Sequence, residues 1–254
     1  MHIRSWSIGA RLKRAGARTL FPLAAGMLAL SGCSDAAENA EAVPASGAAP
    51  VAGQETIPPA VPVMGEEVDI IAFGDSLFAG YNLDPRDAYP RKLEQALRAR
   101  GINARIVNAG VSGDTSAAGR NRLEFTLAAQ DDVPDLFILE LGGNDLLRGI
   151  SPEETRANFE AMLSTLRERD VPVLMMGMRA PPNYGGQYQQ AFDALYSDLA
   201  EEYDAELIPF WLEDIYRDPS LFQDDRIHPT AEGVEALVAS TLDEVEAALP
   251  EDAD

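Results

Sequence analysis

The chain has 254 residues, with 42 acidic against 20 basic side chains and a formal net charge of −22. Such a field disfavours nucleic acid and anionic lipid surfaces as partners and reads as a solvated, acidic exterior. One cysteine supports no disulfide framework, and with two histidines in all, a metallohydrolase centre lacks ligands.

The first 18 residues carry Arg4, Arg11, Lys13, Arg14 and Arg18 and no acid, and residues 20–30 form an apolar run too short to cross a bilayer as a helix. A basic start, a short apolar stretch and small residues have the form of a secretory signal. Leu30-Ser31-Gly32-Cys33 resembles a bacterial lipobox, which implies a signal peptide over 1–32, cleavage before Cys33 and lipidation of its thiol. Losing residues 1–32 removes five basic side chains and no acid, so the mature net charge is −27. Residues 33–67 are rich in Ala, Pro, Gly and Glu, without an aromatic residue or an apolar period. They read as a flexible tether with a reach of roughly 30 Å. The remainder, 68–254, is the size of one domain and must fold on its core alone.

Within that domain, short apolar runs at residues 68–73, 104–108, 136–141, 171–176 and 206–210 suit strands buried on both faces. Helical patterns lie between them. Tyr89, Leu93, Ala96, Leu97 and Arg100 share one face behind an expected cap at Asp87, with Pro90 tolerable in the first turn. Ser151-Pro152-Glu153-Glu154 has the order of an N-cap, a first-turn proline and first-turn acids, followed by Phe159, Met162, Leu163 and Leu166 as a buried stripe. Residues 187–203 and 230–249 complete the set. Strand–helix alternation predicts an α/β fold with a parallel sheet, helices on both faces and ligands at the carboxyl ends of the strands.

Polar clusters stand where those ends should be. Gly74-Asp75-Ser76-Leu77 follows the first strand, Asn108-Ala109-Gly110-Val111-Ser112-Gly113-Asp114 the second, and Gly142-Gly143-Asn144-Asp145 the third. A serine there is either a helix cap or a nucleophile. His2 leaves with the signal, so the mature chain keeps one histidine, His228, and Asp225 three residues earlier can accept from its ring nitrogen. The blocks GDSL at 74–77, SGDTS at 112–116, ELGGNDLLRG at 140–149, PPNYG at 181–185 and DDRIHP at 224–229 resemble the SGNH, or GDSL, hydrolase family. The nearest branch is the bacterial one of thioesterase I, lysophospholipase L1 and arylesterase type. The resemblance implies Ser76 as nucleophile, His228 as base and Asp225 as its orienter. It also implies an oxyanion hole made by the Ser76 and Gly113 backbone N–H groups and the Asn144 side-chain amide. The implied fold is a three-layer α/β/α sandwich with a five-stranded parallel sheet, flavodoxin-like in type.

The chemistry needs such a set, because a serine hydroxyl attacks at neutral pH only when a base takes its proton, and no second imidazole is available. The strained G-x-S-x-G elbow of the α/β-hydrolases is absent, since the residue two beyond Ser76 is Phe78. Asp75 and Asp145 read as turn and cap residues. Leu146, Leu147, Ile150, Ala180 and Pro181 are candidates for an apolar acyl groove, with ordinary loop packing as the competing reading. The expectation is a monomeric, cofactor-free carboxylic ester hydrolase of broad specificity for ester, thioester or lysophospholipid substrates. It would be held by Cys33 in the bacterial envelope, facing the periplasm. The alternatives are an acyltransferase using the same serine with a sugar hydroxyl as acceptor, and a tethered binding lipoprotein without turnover.

Overall fold

In the computed structural model, which describes residues 62–250, the apolar runs become five strands. These are β1 (Val68–Gly74), β2 (Ala104–Gly110), β3 (Leu136–Leu139), β4 (Val173–Met176) and β5 (Glu206–Ile208). All neighbouring pairs are parallel, in the order β2-β1-β3-β4-β5. The helices between them are α1 (Ser76–Ala79), α2 (Tyr89–Ala99), α3 (Ser116–Ala128), α4 (Gly143–Arg148), α5 (Pro152–Arg167), α6 (Gly186–Tyr203) and α7 (Ala231–Ala247). The expected signal, Cys33 and most of the tether lie outside the described residues.

Alternation along the strands divides the core in two, because successive side chains leave a strand on opposite faces. Ile70, Ala72, Ile138, Leu174 and Met176 pack with α2 and α7, while Ile71, Phe73, Phe137, Leu139, Val173 and Met175 pack with α3, α5 and α6. β1, β3 and β4 are therefore apolar on both faces, whereas the edge strands β2 and β5, expected to be buried on both faces, are partly exposed because each has a neighbour on one side only. Helices cover both sides, and the three-layer arrangement follows.

Some local expectations change. β3 ends at Leu139 rather than 141, because the chain turns through Gly142 at φ 104°, and β4 starts at Val173 rather than 171. Asp87 does not cap α2: Ala88 occupies that position, and Asp87 ends a 3-10 turn and pairs with Lys92 at 3.1 Å. Ser151 does cap α5, its side chain accepting from the Glu154 N–H at 3.2 Å. α3 was not foreseen; Thr115 caps it, accepting from Ala118 N–H at 3.3 Å.

The strand order places the chain's reversal between β1 and β3, since the chain leaves β1 for β2 on one side and returns to β3 on the other. At such a point the two flanking connections diverge and leave a crevice beyond the carboxyl ends.

Candidate active site

Ser76 stands at that crevice, and the local sequence explains how. β1 ends in Gly74, where a Cβ would lie 2.6 Å from Glu140 Oε2 and 2.9 Å from the Glu140 carbonyl oxygen, so only glycine fits. Asp75 then turns the chain into α1, its Oδ1 accepting the Leu77 N–H at 3.0 Å, and Gly80 at φ 75° ends the helix after one turn. Asp75 is the cap. The Ser76 hydroxyl is left for other work, and its Oγ lies 2.8 Å from His228 Nε2.

His228 is fixed from several sides. Its Nδ1 is 2.7 Å from Asp225 Oδ2, while Asp225 Oδ1 accepts the backbone N–H groups of Ile227 at 2.9 Å and His228 at 3.0 Å. Burial pushes the Asp225 carboxyl up, but these hydrogen bonds outweigh it and hold the pKa at about 2. Gln223 closes the loop, donating its N–H to the His228 carbonyl at 2.8 Å and its side-chain amide to the carbonyls of Tyr81 and Pro229, both at 2.9 Å. The Tyr81 ring lies against the imidazole with centroids 4.3 Å apart. Nothing in the sequence pattern flagged Tyr81.

On the other side of Ser76 stand Gly113 and Asn144, and all three line one cavity. Gly113 has φ 87°, a backbone conformation that suits glycine. Its carbonyl accepts from Arg148 Nη2 at 2.7 Å, which ties the loop after β2 to α4. The Ser76 and Gly113 N–H groups have no acceptor among the described residues. Asn144 Nδ2 donates to Asp75 Oδ2 at 2.8 Å, leaving its second amide hydrogen uncommitted. Asp145 is fully buried and accepts from Ser116 N–H at 2.8 Å, from Thr155 Oγ1 at 3.1 Å and from the Ser116 hydroxyl, so it joins α3, α4 and α5 beneath Asn144. That is a structural role, as read from the sequence.

Burial raises Asp75 to about 6, against the hydrogen bonds from Leu77 and Asn144 and the charge of His228. Burial, and then the charge of Asp75, raises Glu140 well above the usual carboxylate range. Sequence reasoning passed over Glu140, although a charged residue closing the apolar run Leu136 to Leu139 was a visible anomaly.

The cavity has a volume of about 590 Å³. Leu146, Leu147 and Pro181 line it, as expected of a groove; Ile150 and Ala180 do not. Ala180 turns into the core among α5 and α6, its N–H on Asp193 Oδ1 at 2.8 Å, and the Ile150 carbonyl accepts from the Tyr188 hydroxyl at 2.6 Å. A second apolar wall comes from Phe210, Leu212, Tyr216 and Phe222, between β5 and α7, where the sequence carried no motif, and from Ile227 of the DDRIHP block. Tyr184 joins the first wall together by donating to the Leu146 carbonyl at 2.6 Å.

Comparison with known proteins gives a consistent picture. The model of the GDSL-like Lipase/Acylhydrolase family matches residues 72–236. Thioesterase 1/protease 1/lysophospholipase L1 of Escherichia coli (strain K12) is 39% identical over 160 residues, covering 63% of this chain and 74% of that protein. An arylesterase of Vibrio mimicus is 38% identical over 163 residues, covering 64% and 80%. Among solved structures, AlinE4, described as an SGNH-hydrolase family esterase, is 60% identical with a TM-score of 0.63, covering 74% of this chain and 99% of its own.

Proposed function

The chain belongs to the GDSL-like lipase/acylhydrolase family, and from that premise we propose that Ser76 attacks the carbonyl carbon of an ester or thioester while His228 Nε2 takes its proton. The protein is a serine ester hydrolase of broad specificity acting on small ester or thioester substrates. Asp225, accepting from Nδ1–H, keeps the lone pair on Nε2 and stabilises the imidazolium that forms. The uncommitted N–H groups of Ser76, Gly113 and Asn144 receive the oxyanion; one such donor is typically worth about 3–4 kcal/mol of barrier. Collapse expels the alcohol or thiol, protonated by His228, and leaves acyl-Ser76. Water then attacks with His228 again as base, and the acid departs.

The observation that carries this reading is the hydrogen-bonded line Ser76 Oγ, His228 Nε2, His228 Nδ1, Asp225 Oδ2, at 2.8 and 2.7 Å, opening onto an apolar cavity. The test is hydrolysis of p-nitrophenyl esters from acetate to palmitate by residues 68–254 and by Ser76→Ala. Turnover lost on substitution supports the assignment, and a folded Ser76→Ala domain that still turns over refutes it. The cavity supports an acyl-chain groove between Leu146, Leu147 and Pro181. The division into signal (1–32), lipidated Cys33 with tether (33–67) and hydrolase domain completes the proposal: the enzyme is anchored in the cell envelope and faces the periplasm. Cys33→Ser should move it from the membrane to the soluble fraction with its esterase activity intact; retention in the membrane fraction would sink the anchor.

A further inference from the structure

Just past β3 lies an acid that the reaction above does not use. Glu140 is fully buried; its backbone N–H extends the ladder to the Phe73 carbonyl at 2.9 Å, and its Oε2 accepts the Asp75 N–H at 3.2 Å. Its Oε1 is buried without a hydrogen-bond partner among the described residues. Asp75, 2% exposed, holds Leu77 N–H on Oδ1 and the Asn144 amide on Oδ2. A polar chain thus runs from the core through Glu140 and Asp75 to Asn144.

Among the described residues no Lys or Arg bonds either carboxyl. Arg122 of α3 lies over the Phe73 ring at 3.7 Å, but it is spent on the Gly74 carbonyl at 2.9 Å and on Asp114 at 2.5 Å. From α6, the Tyr196 hydroxyl donates to the Leu141 carbonyl at 2.9 Å; Asp145 of α4 is held by α3 and α5; His228 acts on Asp75 by charge across the nucleophile. Two buried acids with no cation cannot both ionise cheaply, so the pair keeps one proton. Asp75 receives two N–H donors on its carboxylate, at 3.0 and 2.8 Å, and Glu140 one, at 3.2 Å, with its other oxygen unpartnered among the described residues. The proton rests on Glu140, and Asp75 carries the charge that holds the amide.

We propose that Glu140 is a positioning residue for the hydrolysis: acting through Asp75, it sets the direction of the Asn144 amide and so the donor that meets the oxyanion. The proposal rests on the reading of Asn144 as an oxyanion donor. Without the Glu140 carboxyl, the Asp75 N–H loses its acceptor and Asp75 is free to turn, taking the amide with it. Gly74 belongs to the same device, because any side chain there would occupy the space of Glu140 Oε2.

The experiment is a double-mutant cycle on kcat and KM for p-nitrophenyl butyrate, with Glu140→Met and Glu140→Gln each in the wild-type and Asn144→Ala backgrounds. Glu140→Met should lower kcat about 10- to 100-fold with KM within about twofold, and Glu140→Gln, neutral and still able to accept from Asp75 N–H, should restore most of it. In the Asn144→Ala background, Glu140→Met should cost less than about threefold, since the group it positions is gone. A full, additive cost there, or a Gln variant as poor as Met, overturns the proposal alone. An Asn144→Ala effect under about tenfold overturns the oxyanion assignment and this proposal with it, whereas Ser76→Ala reports on the nucleophile independently. Should Glu140→Met fail to fold, Glu140→Asp, which withdraws the carboxyl by one methylene, takes its place with the same expected coupling.

Discussion

Replacing Asp225 with asparagine should damage the enzyme more than replacing it with alanine. Asp225 Oδ1 is committed to two backbone donors, Ile227 N–H at 2.9 Å and His228 N–H at 3.0 Å. An asparagine must keep its carbonyl oxygen there, because its NH₂ group would oppose both donors. The amide nitrogen is thereby forced against His228 Nδ1, 2.7 Å away in the wild type. Nδ1 must then accept, the ring proton moves to Nε2, and Ser76 Oγ at 2.8 Å faces a donor instead of a base. In the serine–histidine–aspartate arrangement this exchange costs about 10⁴ in kcat. The Asp225 side chain is 37% exposed, so water relieves part of the conflict. A loss of about 10³, or ~4 kcal/mol of barrier, is expected for Asp225→Asn. Asp225→Ala admits water, which can accept from Nδ1–H, and should lose less. The assay is kcat and KM on p-nitrophenyl butyrate at pH 7.5, with folding checked by circular dichroism. An asparagine variant keeping more than about a tenth of wild-type kcat, or outperforming the alanine variant, would refute the tautomer argument.

Gly74→Ala forces a methyl against Glu140 where the adjacent parallel strands β1 and β3 end, and the carbonyl there cannot move aside. Overpacking of this kind costs about 1–3 kcal/mol, so calorimetry should show Tm down by several degrees, and an unchanged Tm would sink the packing argument. Leu147→Ser trims the groove wall at a residue 59% exposed, so kcat/KM should fall about fivefold for octanoate, from roughly 1 kcal/mol of lost burial, and stay level for acetate; equal losses would place the acyl chain elsewhere. Stability should depend on pH in two opposed ways. Asp225 is depressed to about 2, so its contribution is present above its ordinary pKa and lost as pH falls through about 2. Asp75 and Glu140 are raised, so theirs is full below the ordinary carboxylate range and lost as pH rises, for Asp75 through about 6. Unfolding from pH 4.5 to 8 should therefore show Glu140→Gln gaining on the wild type as pH rises, and a pH-independent difference would contradict the buried acid.

The parts of this molecule that could be read from its sequence are those where local order and final position coincide. Strand runs buried on both faces end in polar clusters, and a parallel sheet brings such ends together whatever the details of the helices. The clusters that hold Ser76, Gly113 and Asn144 were legible for that reason, while the roles expected of the three residues came from the family resemblance. α3 was not, because its buried face is built from Ser116 and Gly119 as much as from Leu123 and Leu127, and its outward face carries Phe125 at 79% exposure. Apolar periodicity cannot register a helix whose contact face is small and polar. The second wall of the cavity was illegible for another reason: Phe210, Leu212, Tyr216 and Phe222 meet Ser76 only through tertiary packing. Glu140 falls between the two cases. Its charge interrupts an apolar run visibly, yet its partner Asp75 lies 65 positions away, and a single residue does not announce with whom it pairs.

The proposed nucleophile and base are 152 positions apart, and His228 comes shortly before α7, the last helix among the described residues. α7 is seated on α2 by the Tyr89–Thr241 hydrogen bond at 2.6 Å and by Lys92 and Arg100 reaching Glu235 and Asp243 at 3.0 and 2.6 Å. A chain still emerging from a ribosome therefore carries Ser76, Gly113 and Asn144 well before it carries the proposed base. On the proposed mechanism, hydrolysis requires that the segment through α7 be in place against α2. A nick or a loosening near residue 228, beyond the last strand at Ile208, would part His228 from Ser76 without cutting the sheet.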